Sequence, residues 1–509
     1  MVQASKSESE SRLTKVVQAA LEGATQDLLA KVLERLSAWQ LVESPKEFRA
    51  MELEIAHLAR GSADQVTEIL LRAKLERGDF QLRCSVAARA GAEATLRSGG
   101  ARGITVTLLG GAEVRLKVGY LRPDLRKKPG RKRGHGRRGK GGAGFFPPLE
   151  ALGIWSKVTP ALADEVCRQV TDSDSIRTGL AALKRRGIEL EYKTALSLVN
   201  GFGKRAVEQR AEWLSDMLAR DLRDGGPLAG KRVVIGIDGG RLRERVTLRG
   251  RRSAKTGHHR FEAPWREPKL FTIYVIGEDG KADNSFRPVY DGTMGDCDSL
   301  FAMLGGYLRA LGVHEAKELV VLGDGALWIW ERIDALTETV DIARAKVQQV
   351  VDWFHAVEVL EKVADARAKW ADGEHQRWME RAKEHLHAGQ IDKLMGLFDE
   401  LAVGRRATAV NAHRAYFVRN ASRMAYQALA AKKLPTGSGA IESAIRRVVN
   451  LRMKGNGTFW KIENAEAMLM LRSYLKAGRF DDLIAWSITA AVPWWPSPGR
   501  RGPVGDALS

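Results

Sequence analysis

Four short apolar runs, three of them meeting an aspartate at their ends, set the tightest limit on how this chain can fold. They are RVVIGID (232–238), KLFTIYVIG (269–277), ELVVLGDGA (318–326) and KVQQVVDWFH (346–355). Such continuous β-branched runs are the pattern of strands buried on both faces of a sheet. A helix-forming stretch, SLFAMLGGYLRALG, separates the second from the third. Buried strands alternating with helices predict an α/β domain with a partly parallel sheet.

Asp238 and Asp324 each follow such a strand and precede a glycine. In open α/β sheets ligands gather at the carboxyl ends of strands, so two such aspartates can converge on one point. The competing reading is that each acid only initiates a turn. A third acid, Glu442, stands near the start of the helix AIESAIRRVVNLRMKG, after the punctuation LPTGSG. Ile441, Ile445, Val448 and Val449 form an apolar stripe suited to cover a sheet, and Glu442, Arg446 and Asn450 recur on the adjoining stripe. Glu442 is then predicted at the sheet's edge, with Arg446, Arg447, Arg452 and Lys454 turned to a polyanion. An acid there is also favoured by the helix dipole alone. Three converging carboxylates suit phosphodiester chemistry, because two divalent ions roughly 3.5–4 Å apart can bracket the reacting phosphate.

The partner follows from charge. The chain of 509 residues carries a net charge of +20 and a pI near 9.9, which attracts nucleic acid. Its 3 cysteines, Cys84, Cys167 and Cys297, are far apart, so neither a disulfide framework nor a structural zinc is expected. A metal must rest on carboxylates, which favours Mg²⁺, with Mn²⁺ as a substitute; no organic cofactor is expected. The sequence has neither the apolar run of a membrane span nor the core of a secretory signal. A cytoplasmic, nucleoid-associated protein is the default.

The rest of the chain divides by composition. Residues 1–121 read as a helical region ending in a hairpin turned at Gly110-Gly111. The stretch 122–148, with Arg131, Lys132, Arg133, Arg137 and Arg138, reads as a mobile basic linker, either an arm that tracks phosphates or a solubilising tether. Residues 149–229 are helical. Within them 173–200 suggest two helices about a turn at Gly187, equally a helix-turn-helix or a plain hairpin. Residues 230–355 and 433–475 form the α/β core, 356–432 an all-helical insertion and 476–509 a tail. Arg241, Arg243, Arg249, Arg251, Arg252 and Lys255 make a basic excursion after the first strand, suited to the DNA backbone. Trp460 is either a stacking surface for a base or a buried tryptophan. Among Asp291, Asp296 and Asp298, the last is expected to cap the following helix.

The runs GIDGGR, FEAPWREPKLFTIYVI, VYDGTMGDCDSLF, VVLGDGALWIW, VVDWFHAVEVL and GSGAIESAIRRVVNLRMKGNGTFW strongly resemble the DDE transposases of Kra-type bacterial insertion sequences, relatives of the Mutator-like group. The resemblance runs from about residue 230 to about 475. It implies an RNase-H-like core with an all-helical insertion before the last catalytic helix; the mainly helical N-terminal region with its β-hairpin is then expected to bind DNA. The resemblance also implies Asp238, Asp324 and Glu442 as metal-holding catalytic residues, Mg²⁺ or Mn²⁺ as cofactor, and DNA cleavage and strand transfer. The partners implied are transposon ends, target DNA and further copies of the chain. Asp352-Trp353-Phe354-His355 resembles the D-x-x-H element of Mutator-like enzymes, in which His355 would orient DNA or protonate a leaving oxygen; a structural histidine is the alternative. The family's cysteine pair before the FFPP-like segment is replaced here by RRGKGGAG. Two rivals stay open: a nuclease of the same fold that stops after hydrolysis, and an inactive DNA-binding descendant of a transposase.

Overall fold

The computed structural model describes residues 2–92, 95–123, 144–154, 156–254 and 257–489. They fall into two compact units, residues 1–205 with 484–509, and residues 206–483.

The first unit opens with α1 (Val2–Gln40), α2 (Pro45–Glu76) and α3 (Gly78–Ala90). A reciprocal pair of Ser44 and Glu47 hydrogen bonds caps α2, satisfying amides that a helix start leaves open. The hairpin of β1 (Leu96–Thr107) and β2 (Glu113–Pro123) follows. It turns at Gly111, whose φ is +98°, and the Asp64 carboxylate accepts from the amides of Gly110 and Ala112 at 2.8 Å each. Leu75, Phe80, Cys84, Val106, Leu116 and Val118 pack as its core. Then come α4 (Pro147–Ala151), α5 (Pro160–Asp172), α6 (Ile176–Arg185) and the start of α7 (Tyr192–Ala219), with Gly187 at φ +83° between the last two. The basic linker expected over 122–148 is ordered at both ends: Arg122 and Pro123 belong to β2, and Phe145 exchanges backbone hydrogen bonds with Leu121. Arg131, Lys132, Arg133, Arg137 and Arg138 lie outside the described residues.

The second unit is a mixed α/β domain. Its first strand, β3 (Arg232–Gly239), leads into a ribbon of β4 (Leu242–Arg243), β5 (Val246–Thr247), β6 (Phe261–Glu262) and β7 (Trp265–Arg266). The chain returns along β8 (Lys269–Ile276), turns into β9 (Val289–Thr293), crosses over by α8 (Cys297–Ala310) and enters β10 (Glu318–Gly323). After α9 (Leu327–Trp330) and α10 (Ile333–Thr339) comes β11 (Val347–Val351). The sheet order is β11-β10-β3-β8-β9. β10 is parallel to both β3 and β11, while β8 is antiparallel to both β3 and β9, so β8 runs against the other four. Val233, Val234, Ile235 and Ile237 of β3 are fully buried, as their unbroken apolar run requires.

Two expectations need correction here. The expected loop around Asp291 contains β9, and Asp291 is a buried strand residue held by Arg210 at 2.7 Å and by the Tyr307 hydroxyl at 2.7 Å. Asp296, not Asp298, caps α8 by accepting from the Ser299 amide; Asp298 pairs with Arg332 instead.

The helical stretch comprises α11 (Trp353–Ala364), α12 (Glu374–His387), α13 (Ile391–Leu401), α14 (Ala407–Asn420) and α15 (Tyr426–Ala431). Its Trp378, Phe398 and Phe417 belong to one apolar core with Val321 and Val350 of the sheet. The chain closes with α16 (Gly439–Ile445), α17 (Ile462–Lys476) and α18 (Phe480–Thr489). The expected buried stripe is observed: Ile441, Ile445, Val448 and Val449 are all buried.

α16 lies against β3 and can do so because residue 236 is glycine. A methyl there would come within 2.9 Å of the Ile441 Cβ and of the Thr272 Oγ1. Beyond Ile445 the helix widens into a π turn, Arg446–Asn450. The buried Arg472 of α17 donates to the carbonyls of Val448, at 2.7 Å, and of Arg447, so the widened turn does not strand its acceptors.

Gly236→Ala is therefore expected to lower the stability measured by urea unfolding by about 1–3 kcal/mol, the usual cost of overpacking. Gly439→Ala adds a methyl that meets nothing within 4 Å, so it should be neutral or stabilising by about 0.5–1 kcal/mol. Equal unfolding midpoints for the two variants would show that Gly236 does not set the helix's approach.

Candidate active site

Strand register brings the first two acids together. β10 pairs with β3 so that Leu322 lies beside Gly236; two residues further along each strand stand Asp324 and Asp238. Neighbouring strands are about 4.8 Å apart, and residues of the same parity share a face. Asp238 thus projects on the same face as Gly236, where α16 packs. Glu442, in the first turn of α16, is exposed. It lines an open cleft of about 680 Å³ with Asp238, Ser443, Arg446 and Asn450.

Each carboxylate is oriented through one oxygen. Asp238 Oδ1 accepts the Gly239 amide at 2.6 Å, Asp324 Oδ1 that of Ala326 at 2.9 Å, and Glu442 Oε1 the Ser438 hydroxyl at 2.6 Å. The second oxygen of each remains to act as a ligand. Tyr416 of α14 also donates its hydroxyl to the Asp324 carbonyl at 3.1 Å. Its ring lies against Gly325, whose φ is +89°, so that a methyl there would come within 2.7 Å of it.

Burial, followed by the negative charges of Asp324, Glu442 and Glu267, pushes the Asp238 carboxyl up to about 7, against one lowering hydrogen bond from Gly239. Proton or metal cation can relieve that crowding. The donors are all carboxylate oxygens, with no thiolate or imidazole among them, which fits a hard divalent ion. Among the described residues, the one trio of potential ligands with donor atoms all within 4.8 Å of one another is Asp224, His314 and Glu315. Asp238, Asp324 and Glu442 are spread wider than that.

Glu267 escaped the sequence reading. It precedes β8, and its carboxylate lies where a side chain at Gly239 would have to go. The available signal was register, since Gly239 pairs with Lys269, which returns Glu267 to the neighbourhood of Asp238.

The remaining expected residues are placed unevenly. Arg446 lines the cleft and Lys454 is exposed. Arg447 instead donates to the Tyr290 hydroxyl at 2.9 Å. Arg452 does not face outward: it is buried, its guanidinium 5.4 Å from the Trp460 ring centre. Trp460 is half-buried, donates its indole N–H to the Met453 carbonyl at 3.0 Å and hydrogen-bonds its backbone to Arg243 and Arg245. It joins the ribbon to the loop that follows the π turn. Arg241, Arg243, Arg249, Arg251 and Arg252 are exposed on the ribbon and its tip. Arg243 rests on Trp265 at 4.9 Å, and Lys255 lies outside the described residues. His355 is half-buried; its Nδ1 is 3.8 Å from Glu358 and its ring 6.3 Å from that of Tyr416. Neither His355 nor Asp324 lines the cleft.

No family model matches the chain, and no curated protein matches it. Among solved structures, a Drosophila P element transposase strand transfer complex is similar at 12% identity, over 68% of this chain and 83% of that chain, with a TM-score of 0.22. Among the described residues no helix is long and apolar enough to cross a membrane.

The raised Asp238 carboxyl has a pH consequence. An unfolded chain gives up this proton near the ordinary value of 3.8 and the folded chain near 7, so the folded state holds the extra proton between them. Metal-free stability should fall as pH rises across that window, with the deficit complete above it. Asp238→Asn removes the titration. Its melting temperature relative to the wild type should therefore climb between about pH 4 and about pH 8. A constant difference across that range would mean that the carboxyl is not raised.

Proposed function

We propose that this chain is a metal-dependent DNA transposase of the DDE type, which cuts DNA at the ends of a mobile element and joins them to a target. The observation that carries the proposal is that Asp238 and Glu442, from a strand and its covering helix, line one open cleft, while register sets Asp324, just past the end of the neighbouring parallel strand, beside Asp238. The strand order, with β8 alone reversed, supports an RNase-H-like core. The net charge of +20 and the exposed arginines of the ribbon support a DNA partner.

Asp238, Asp324 and Glu442 would hold the divalent ions, which when bound supply a polarised phosphate and an activated water or 3′-hydroxyl. The chain's own contribution is positional. Main-chain amides of Gly239 and Ala326 fix two of the carboxylates, and Ser438 fixes the third. Arg446, on the same cleft, would meet a phosphate oxygen.

The test is incubation of the purified protein with Mg²⁺ and DNA bearing the inverted repeats that flank its gene. Asp238→Ala, Asp324→Ala and Glu442→Ala should each cut strand cleavage by about 10²–10³-fold, as loss of one charge-stabilising group does, with DNA affinity retained. Wild-type cleavage by any one of them would remove that residue from the site. Cleavage without joined product would favour a nuclease over a transposase.

A further inference from the structure

Asp352 is only 1% exposed and has no place on the cleft, yet it ties together the two segments that carry Asp324 and Glu442. Its amide donates to the carbonyl of Gly323, the residue before Asp324, at 2.8 Å. Its Oδ1 accepts from the His355 amide at 2.8 Å and caps α11. Its Oδ2 accepts from the Ser438 amide at 2.5 Å. Next to it, the Trp353 amide donates to the Thr436 carbonyl at 2.8 Å. Ser438 then hands the constraint on, because its hydroxyl holds Glu442 Oε1 and its carbonyl accepts the Glu442 amide at 3.0 Å.

We infer that Asp352 is a positioning residue: its carboxylate clamps the loop before α16 to the end of β10 and so sets the reach between Asp324 and Glu442. Helix capping alone would use one oxygen. The second oxygen is spent on a loop 86 residues away in sequence, at the residue whose hydroxyl holds Glu442. A carboxylate with two acceptor oxygens can take two amides at once. The inference explains the aspartate of the D-x-x-H run, for which a role of His355 at the cleft is not needed. It rests on the reading of Asp324 and Glu442 as metal ligands.

Asp352→Asn separates the two uses. Asparagine caps a helix as well as aspartate does, so α11 is kept. Its NH₂ group then faces the Ser438 N–H, two donors opposed, and the loop is released. The full chain would be titrated with Mn²⁺ in the absence of DNA, with melting temperature and DNA affinity measured alongside. The expected result is a 10–100-fold loss of Mn²⁺ affinity, the usual effect of removing a group that orients metal ligands, with DNA affinity unchanged and cleavage recovered at raised Mn²⁺. Ser438→Ala is the second variant, since Ser438 makes no side-chain cap bond and its loss does not threaten the helix. It should weaken Mn²⁺ in the same direction by a smaller factor. Wild-type Mn²⁺ affinity in Asp352→Asn overturns the inference; if that variant fails to fold, Asp352→Ser, whose single hydroxyl can still cap α11 but cannot also take the Ser438 amide, decides in its place. Failure of the wild-type chain itself to bind Mn²⁺ would strike instead at the proposed function.

Discussion

The approach of α16 to β3 across Gly236 is the contact on which the site depends. It sets Glu442 and Asp238 on one cleft, with the charges of Asp324 and Glu267 close by, which is electrostatically uphill. The cost shows at Asp238, whose carboxyl is held far above its ordinary value by burial and by three acidic neighbours. What offsets the cost is apolar packing. Ile441, Ala444, Ile445, Val448 and Val449 are all buried, and burying each large aliphatic side chain contributes about 1.5–3 kcal/mol. A wider residue at 236 would trade that packing against the geometry of the acids.

The arginines qualify the simplest reading of the charge. Arg210, Arg232, Arg452 and Arg472 are all buried and cannot take part in an electrostatic footprint. Arg232 donates to the carbonyls of Gly277 and Lys432 and to Glu318. Arg472 serves the π turn. The planar guanidinium with its fork of donors suits this work, because one side chain can satisfy several carbonyls where helices and strands end irregularly. Net charge therefore overstates the basic surface of the molecule. The exposed arginines of the ribbon between β3 and β8 are a truer measure of it.

The sequence was most legible where burial acts on both faces of an element. β3, β8, β10 and β11 stand out because short runs rich in β-branched residues favour strands buried on both faces, and the stripe of α16 because its period is fixed by the helix. β9 was missed for the opposite reason. It is only five residues long, and its central Asp291 looks like a turn former until Arg210, 81 residues earlier, is seen to pair with it. Arg452 was misjudged likewise, since it lies buried against Trp460 across a loop that periodicity does not describe. Glu267 and Ser438 contribute through register and through a hydroxyl bond. Neither leaves a compositional trace.

The helical stretch after β11 illustrates how far such dependence extends. From sequence it reads as an insertion between the second and third acids. Its tryptophan and phenylalanines instead complete the apolar core on which the sheet rests, and Tyr416 supports the turn that carries Asp324. Asp352 at the head of α11 reaches the loop of Glu442. The segment thus touches the supports of both acids between which it lies in the chain. Long separation in sequence is bridged here by two short polar contacts, one on either side of the site, and the geometry of the acids is set as much by these helices as by the strands.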